Sequence, residues 1–105
     1  MVITLSVNIY GFGSFFNGSE TFKDVDLLIV HDSGSYESCL KAIFLKREIK
    51  NQIDNADVTM LSVYEERQFK FIERASAIHL CYCEKDKEKE SARKLKFQIQ
   101  TIRMI

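Results

Sequence analysis

Asp24-Val25-Asp26-Leu27-Leu28-Ile29-Val30 is the stretch of sequence that decides the fold. Its apolar run Val25–Val30, with aspartates at the head, predicts a strand buried on both faces of a sheet. Because side chains alternate along a strand, Asp24 and Asp26 should point the same way, with Cα atoms about 7 Å apart. Two carboxylates at that spacing repel each other, and a bound divalent cation such as Mg²⁺ relieves the repulsion.

Strand and helix patterns alternate on both sides of this run. We expect Gly11–Lys23 to form a loop with one short helical turn. The other predicted elements are a strand Ile3–Tyr10, a helix Tyr36–Ile53, a strand Ala56–Val63, a helix Tyr64–Ala75, a strand Ala77–Cys83 and a helix Glu84–Arg103. This order predicts an α+β fold, with a mixed β-sheet of about four strands and helices packed on one face.

A chain of 105 residues is expected to form one domain. We assign residues 1–83 to its core and residues 84–105 to a charged C-terminal helix, which either belongs to the same domain or docks on a partner. The periodicity of each helix predicts its inward residues. They are Tyr36, Leu40, Ile43 and Phe44 in the first, Phe69 and Ile72 with Tyr64 or Phe71 in the second, and Leu95, Ile99 and Ile102 in the third.

The composition argues against several classes of partner. Acidic and basic side chains balance at 15 each, so no overall field attracts nucleic acid or an anionic membrane, and we expect neither as a partner. No apolar stretch reaches the length of a membrane span. Three cysteines without a secretory leader indicate a cytoplasmic protein with reduced thiols.

A third carboxylate, Asp57, lies near the start of the next predicted strand. If the two strands are neighbours, Asp57 approaches Asp24 and Asp26, and three such carboxylates can hold two cations about 3.5–4 Å apart. Asp54 is the alternative, but it lies in a predicted turn. Earlier in the chain, the backbone amides of Gly13-Ser14 and the serine hydroxyl can hold phosphate oxygens.

Together these motifs resemble the signature of the DNA polymerase beta nucleotidyltransferase superfamily. Gly11-Phe12-Gly13-Ser14 is followed, after nine residues, by Asp24-Val25-Asp26-Leu27, and Ala56-Asp57-Val58 resembles the third-carboxylate motif of that superfamily. Asn17-Gly18-Ser19-Glu20 resembles the turn inside the spacer. The resemblance runs from Val7 to Leu80 and is greatest to the minimal nucleotidyltransferases of prokaryotes.

The resemblance implies a metal-dependent enzyme and assigns a role to each motif. Asp24, Asp26 and Asp57 would be the catalytic carboxylates and would ligate two Mg²⁺ ions, with Asp57 nearest the acceptor hydroxyl. Gly13 and Ser14 would contact the triphosphate of the substrate, which is ATP or another nucleoside triphosphate.

Lys23 is the cation expected beside the triphosphate, because Phe15 and Asn17 stand where many members of the superfamily carry arginine. The implied reaction transfers a nucleoside monophosphate, such as AMP, to a hydroxyl and releases pyrophosphate. Minimal nucleotidyltransferases are commonly paired with an all-helical HEPN protein in toxin–antitoxin modules. There the transferase is the antitoxin and can modify the toxin, so a HEPN-type protein partner is implied.

Two other functions remain open at this point. A catalytically degenerate transferase would bind and neutralise a partner protein without turnover. A small-molecule transferase, acting on an antibiotic for example, would need a substrate-binding domain or a homo-oligomer that builds the pocket.

Two further sets of residues carry chemistry but have simpler structural interpretations. His79, Cys81 and Cys83 would share one face of a regular strand and formally supply three zinc ligands, although half-buried strand residues are the commoner case. His31 could assist a proton transfer, but a histidine in a loop is commoner.

Aromatic residues crowd the loop that precedes the buried strand. They are Phe12, Phe15, Phe16 and Phe22. One of them could stack on a nucleobase, and packing of the loop onto the sheet is the commoner role that we assign to the group.

Overall fold

The computed structural model describes residues 7–32, 35–84 and 86–103. Residues 3–6 of the predicted first strand lie outside these ranges. The elements, in chain order, are β1 (Val7–Phe12), α1 (Gly13–Phe16), β2 (Val25–His31), α2 (Tyr36–Gln52), β3 (Ala56–Ser62), α3 (Val63–Phe69), α4 (Phe71–Arg74), β4 (Ile78–Cys83) and α5 (Glu88–Arg103).

The strands form one mixed sheet in the order β3-β2-β1-β4. β2 is parallel to β3, with α2 as the crossover that a parallel pair requires, whereas β1 is antiparallel to both of its neighbours. β2 is an interior strand in which every residue is buried except Asp26, which is half-buried. The predicted fold class, α+β with a four-stranded mixed sheet and helices, is therefore confirmed.

One face of the sheet, which we call the helix face, packs against α2 and α5. Side chains that alternate along the two central strands point into this core, and the two helices contact each other above them. Each aliphatic side chain buried in this way contributes about 1.5–3 kcal/mol. The main contributors are Val7, Ile9, Leu27 and Ile29 from the sheet and Ala42, Leu45, Ile49 and Leu95 from the helices.

The side of α2 that packs on the sheet is not the side that carries its large apolar residues. Tyr36, Ile43 and Phe44 are 79, 41 and 44 % exposed, so the prediction that they point inward is wrong. The small side chains of Ser38 and Ala42 lie on the buried side of α2 instead. The full buried set of α2 is Ser38, Lys41, Ala42, Leu45 and Ile49.

The predicted helix Tyr64–Ala75 is two short helices, because the chain breaks at Lys70. Lys70 has φ 50° and ψ 45°, a left-handed conformation that interrupts helical hydrogen bonding. The Glu66 carboxylate accepts a hydrogen bond from the backbone N–H of Ile72 at 3.0 Å and so satisfies a donor just after the break. The prediction that this segment buries large residues is wrong for Tyr64 and Phe69, which are both exposed.

The opposite face of the sheet, which we call the second face, carries Tyr10, Phe12 and Asp26. The register supports this assignment, since Phe12 lies directly opposite Asp26 on the antiparallel β1–β2 pair. α4 reaches the second face through Phe71, whose ring meets the Phe12 ring edge-to-face with 5.0 Å between centroids. The second face is therefore partly covered on the side of Phe12.

α5 packs into the core of the same domain as the sheet. Leu95 and Ile99 are buried there and Ile102 packs against the core, so the apolar stripe of α5 faces its own domain, one of the two placements that the sequence left open. α5 begins at Glu88 rather than at Glu84, because Asp86 has a left-handed φ of 63° and the Lys87 N–H donates to the Glu84 carbonyl at 3.2 Å, three residues back. In the described ranges, no helix has both the length and the apolar character needed to cross a membrane.

Leu95→Ala tests whether α5 is integral to the core. Leu95 is 0 % exposed, and truncation of a buried leucine lowers the free energy of unfolding by about 2–5 kcal/mol. Urea denaturation should show that loss. Phe97→Ala is the matched control, because Phe97 lies on the same helix and is 72 % exposed. It should change the free energy of unfolding by less than about 0.5 kcal/mol, and equal losses for the two variants would contradict this placement of α5.

Candidate active site

Asp26 and Asp57 are direct neighbours on the parallel strands β2 and β3. The register pairs Asp26 with Asp57, and paired residues of adjacent strands present their side chains on the same face. Neighbouring strands lie about 4.8 Å apart, so the two carboxylates leave the sheet side by side on the second face. The rival carboxylate Asp54 lies before β3, outside the paired register.

Asp24 lies one residue before β2 and is exposed. Asn55 holds the chain on both sides of Asp24. Its carbonyl accepts a hydrogen bond from the Val25 backbone N–H at 2.9 Å, and its side-chain amide donates to the Lys23 carbonyl at 3.4 Å. The starts of β2 and β3 are thus tied together at the end of the sheet where all three aspartates lie.

The electrostatics of Asp26 reflect this crowding. Partial burial raises the pKa of Asp26 above its ordinary value, and the neighbouring charges of Asp57 and then Asp24 raise it further. An ionised Asp26 is therefore costly in the protein alone, and a cation placed between these carboxylates would remove that cost.

Gly13 is pressed against Asp26 at the start of α1. Its φ of +79° is a conformation that side-chain-bearing residues rarely adopt, and a Cβ atom there would collide with Asp26 Oδ2 and lie 3.2 Å from Asp26 Cγ. Only glycine permits this close approach. α1 is closed by hydrogen bonds from Asn17 N to Gly13 O at 3.0 Å and from Ser19 N to Ser14 O at 3.1 Å.

An open cavity of about 610 Å³, which we call the acid cavity, lies beside these carboxylates. Its lining combines three carboxylates with one lysine, and the sequence-predicted residues Ser14, Lys23, Asp24 and Asp26 are all part of it. Asp57 stands next to Asp26 rather than in the lining. The lining residues are Ser14, Glu20, Thr21, Phe22, Lys23, Asp24 and Asp26.

Carboxylate oxygens are the ligands that Mg²⁺ prefers, so the residue types at this end of the sheet fit a hard divalent cation. Over the ranges that the structure describes, no three His, Cys, Asp or Glu side chains stand together as a ready set of metal ligands. Asp24 and Asp57 are close enough to raise the pKa of Asp26, and the three side chains would have to turn toward a shared cation to bind it.

Two lining residues, Glu20 and Thr21, have no role in the sequence-based assignment of the site. Glu20 adds a third carboxylate to the acid cavity. In the sequence, only its acidic side chain in the segment after α1 indicates such a role. Phe22 is 36 % exposed and lines the same cavity, whereas Phe15 is buried in the core. The edge-to-face contact between their rings shows that the loop aromatics do pack the loop onto the sheet.

The formal zinc set of His79, Cys81 and Cys83 is divided between the two faces of the sheet. A β-bulge shifts the register between β1 and β4, so that Cys81 pairs with Ile9 on the helix face and His79 pairs with Tyr10 on the second face. Residues at every second position share a face only in a regular strand. Because the bulge makes β4 irregular, the three side chains do not lie on one face.

His31 lies at the far end of β2 from the aspartates. Its Nδ1 is 3.0 Å from the Ser38 hydroxyl inside the protein. It lies five positions along the strand from Asp26, a distance of about 17 Å. His31 is therefore too distant to move a proton at the acid cavity.

Comparison with family models, with curated proteins and with solved structures gave no match for this chain.

Gly13→Ala tests the contact between α1 and Asp26. Gly18→Ala is the matched control, because Gly18 has nearly the same φ, +83°, but a Cβ there would meet nothing within 4 Å. Both substitutions carry a backbone cost of about 1 kcal/mol, and only Gly13→Ala adds the collision with Asp26. We expect thermal or urea denaturation to show the larger loss for Gly13→Ala.

Asp26→Ala should cancel that difference, because it removes the carboxylate that the new methyl group would strike. In the Asp26→Ala background, Gly13→Ala should cost no more than Gly18→Ala. A cost of Gly13→Ala that is unchanged in this background would contradict the contact.

Asp26→Asn should stabilise the metal-free protein at neutral pH. The folded protein holds the proton of Asp26 more tightly than the unfolded chain does, since its pKa is raised from 3.8. Stability is therefore lost as pH rises from 3.8 through the folded pKa, and an amide at this position avoids the loss. In EDTA, Asp26→Asn should raise Tm at about pH 7 and lose this advantage at about pH 3.5.

Asp54→Asn is the control for that experiment, because it removes an exposed carboxylate from the turn before β3. An equal rise in Tm for both variants would mean that net charge, rather than crowding around Asp26, sets the effect.

Proposed function

We propose that this protein is a metal-dependent nucleotidyltransferase that moves a nucleoside monophosphate, AMP from ATP in the first instance, to a hydroxyl of a protein partner. The observation that carries the proposal is the pairing of Asp26 with Asp57 across β2 and β3, at the point where Gly13 presses against Asp26. The motifs that resemble those of the DNA polymerase beta superfamily thus include residues that are neighbours in space.

Asp24 and Asp26 would hold the magnesium ions, since they line the acid cavity and their charges repel in the protein alone. Bound magnesium would neutralise negative charge on the triphosphate and on the leaving pyrophosphate. Asp57 stands beside Asp26 and can accept the proton of the attacking hydroxyl. Ser14 and Lys23 face the same cavity and would bind phosphate oxygens through a hydroxyl and an ammonium group.

The acid cavity opens at one end of the sheet, and the described elements build a single sheet with its helices. The acceptor hydroxyl would therefore be presented by a second molecule. The family resemblance points to an all-helical HEPN-type protein, with this chain acting as the antitoxin that modifies it.

A second candidate function is a binding module that neutralises its partner without turnover. The charge balance of the acid cavity favours it, because Lys23 is the only cation among the described lining residues and faces Glu20, Asp24 and Asp26. Without metal such a lining repels a triphosphate. The two candidates therefore differ in whether divalent metal brings nucleotide to this cavity.

Label transfer decides between the two functions. The chain and an all-helical HEPN-type protein are incubated with Mg²⁺ and ATP labelled at the α-phosphate, and the proteins are separated on a denaturing gel. We expect label on the partner, and a loss of at least about 100-fold in rate for Asp26→Asn and for Asp57→Asn, the scale of general-base and metal-ligand contributions.

Glu37→Gln is the control, because Glu37 is an exposed carboxylate at the start of α2, at the opposite end of β2 from the acid cavity. It should leave the rate within about two-fold. A tight complex that forms equally with all of these variants, with no label transferred by any, would assign the protein to the binding module.

A further inference from the structure

We propose that a second cavity, on the other side of Phe22 from the carboxylates, is the nucleobase-binding site of this protein. The inference rests on the proposed function and extends it, because it places the base of the nucleotide as well as its phosphates. The phosphates lie in the acid cavity, and the base lies beyond the Phe22 ring.

The two cavities share Phe22 as a common wall. The second one, which we call the base cavity, has a volume of about 360 Å³ and lies between the start of β2, the end of α2 and the last turns of α5. A cavity of about 300 Å³ or more with apolar walls and a few polar groups is the usual form of a small-molecule site. The apolar wall consists of Phe15, Phe22, Val25, Ile53 and Ile99.

The Phe22 ring is held in place by a buried neighbour. Phe15 is 4 % exposed, and its ring meets that of Phe22 edge-to-face, with centroids 4.9 Å apart and an interplanar angle of 82°. Phe22 itself remains 36 % exposed. A ring that is braced on one edge and open on part of its surface is suited to stack on a planar base.

The polar groups of the base cavity fit a neutral heterocycle better than a phosphate. Lys96 and Asp54 contribute one charge of each sign, so the cavity has no net charge with which to attract an anion. Gln52 and Gln100 add two carboxamides from α2 and α5. A carboxamide donates and accepts side by side, which matches the N6 and N7 edge of adenine.

Phe22→Leu separates base binding from phosphate binding, because it keeps an apolar side chain and removes the aromatic ring. Calorimetric titrations with Mg·ATP and with Mg·tripolyphosphate are compared. We expect Phe22→Leu to weaken Mg·ATP binding about ten-fold, as loss of a base–aromatic stack does, and to leave Mg·tripolyphosphate binding within about two-fold of wild type. Phe97→Leu, an exposed aromatic change outside both cavities, should alter neither.

A double variant, Gln52→Ala with Gln100→Ala, tests the same site without touching the packed loop. It should lower the ratio of affinities for Mg·ATP and Mg·CTP while Mg·tripolyphosphate binds as before. This second variant decides the question if a Tm measurement shows that Phe22→Leu is unfolded.

The outcomes distinguish this inference from the function on which it rests. One outcome would overturn the base-cavity proposal alone. In it, Asp26→Asn abolishes binding of Mg·tripolyphosphate, but Phe22→Leu and the double glutamine variant leave Mg·ATP binding unchanged. Equal weakening of both probes by Phe22→Leu would also overturn it, since the ring would then serve the loop rather than the base. A wild-type protein that binds neither probe would overturn both proposals.

Discussion

The register between β2 and β3 is the constraint on which the rest of the site depends. It places Asp26 opposite Asp57, so two carboxylates leave the same face of the sheet from adjacent strands. A slip of one residue would turn Asp57 to the helix face and separate the pair. The buried residues between these strands and α2, among them Leu27 and Val58, fix the register through apolar packing. The hydrophobic core thus holds like charges together against their repulsion.

Gly13 fixes the position of the loop before β2 relative to the paired aspartates. Because Gly13 has no side chain, α1 can rest against the Asp26 carboxylate, and Ser14 and the residues that follow line the cavity beside it. One lysine against three carboxylates gives this cavity a negative lining, so the chemistry proposed for it depends on a cation from solution. Phe22 lines both this cavity and the base cavity, whose charged residues, Asp54 and Lys96, balance each other.

The sequence is sufficient to predict the buried strand and its acidic head, because an apolar run with alternating aspartates has one consistent geometry. The approach of Asp57 follows once β2 and β3 are neighbours. The buried side of α2 is not predictable from the size of its residues, since the small Ser38 and Ala42 are buried whereas Phe44 is exposed. The bulge that separates His79 from Cys81 and the break at Lys70 are also hidden, because neither interrupts the pattern of apolar residues from which the strand and the helix are predicted. The base cavity is assembled from three distant segments and has no local signal.

Convergence of the three aspartates on a divalent cation can be observed directly by titration with Mn²⁺, a paramagnetic substitute for Mg²⁺, in a backbone amide NMR spectrum. Signals of Gly13, Asp26 and Asp57 should broaden first and together, Mg²⁺ in excess should restore them, and Asp26→Asn should abolish the effect. Broadening centred elsewhere in the protein, or none at millimolar Mn²⁺, would contradict the site described for this end of the sheet.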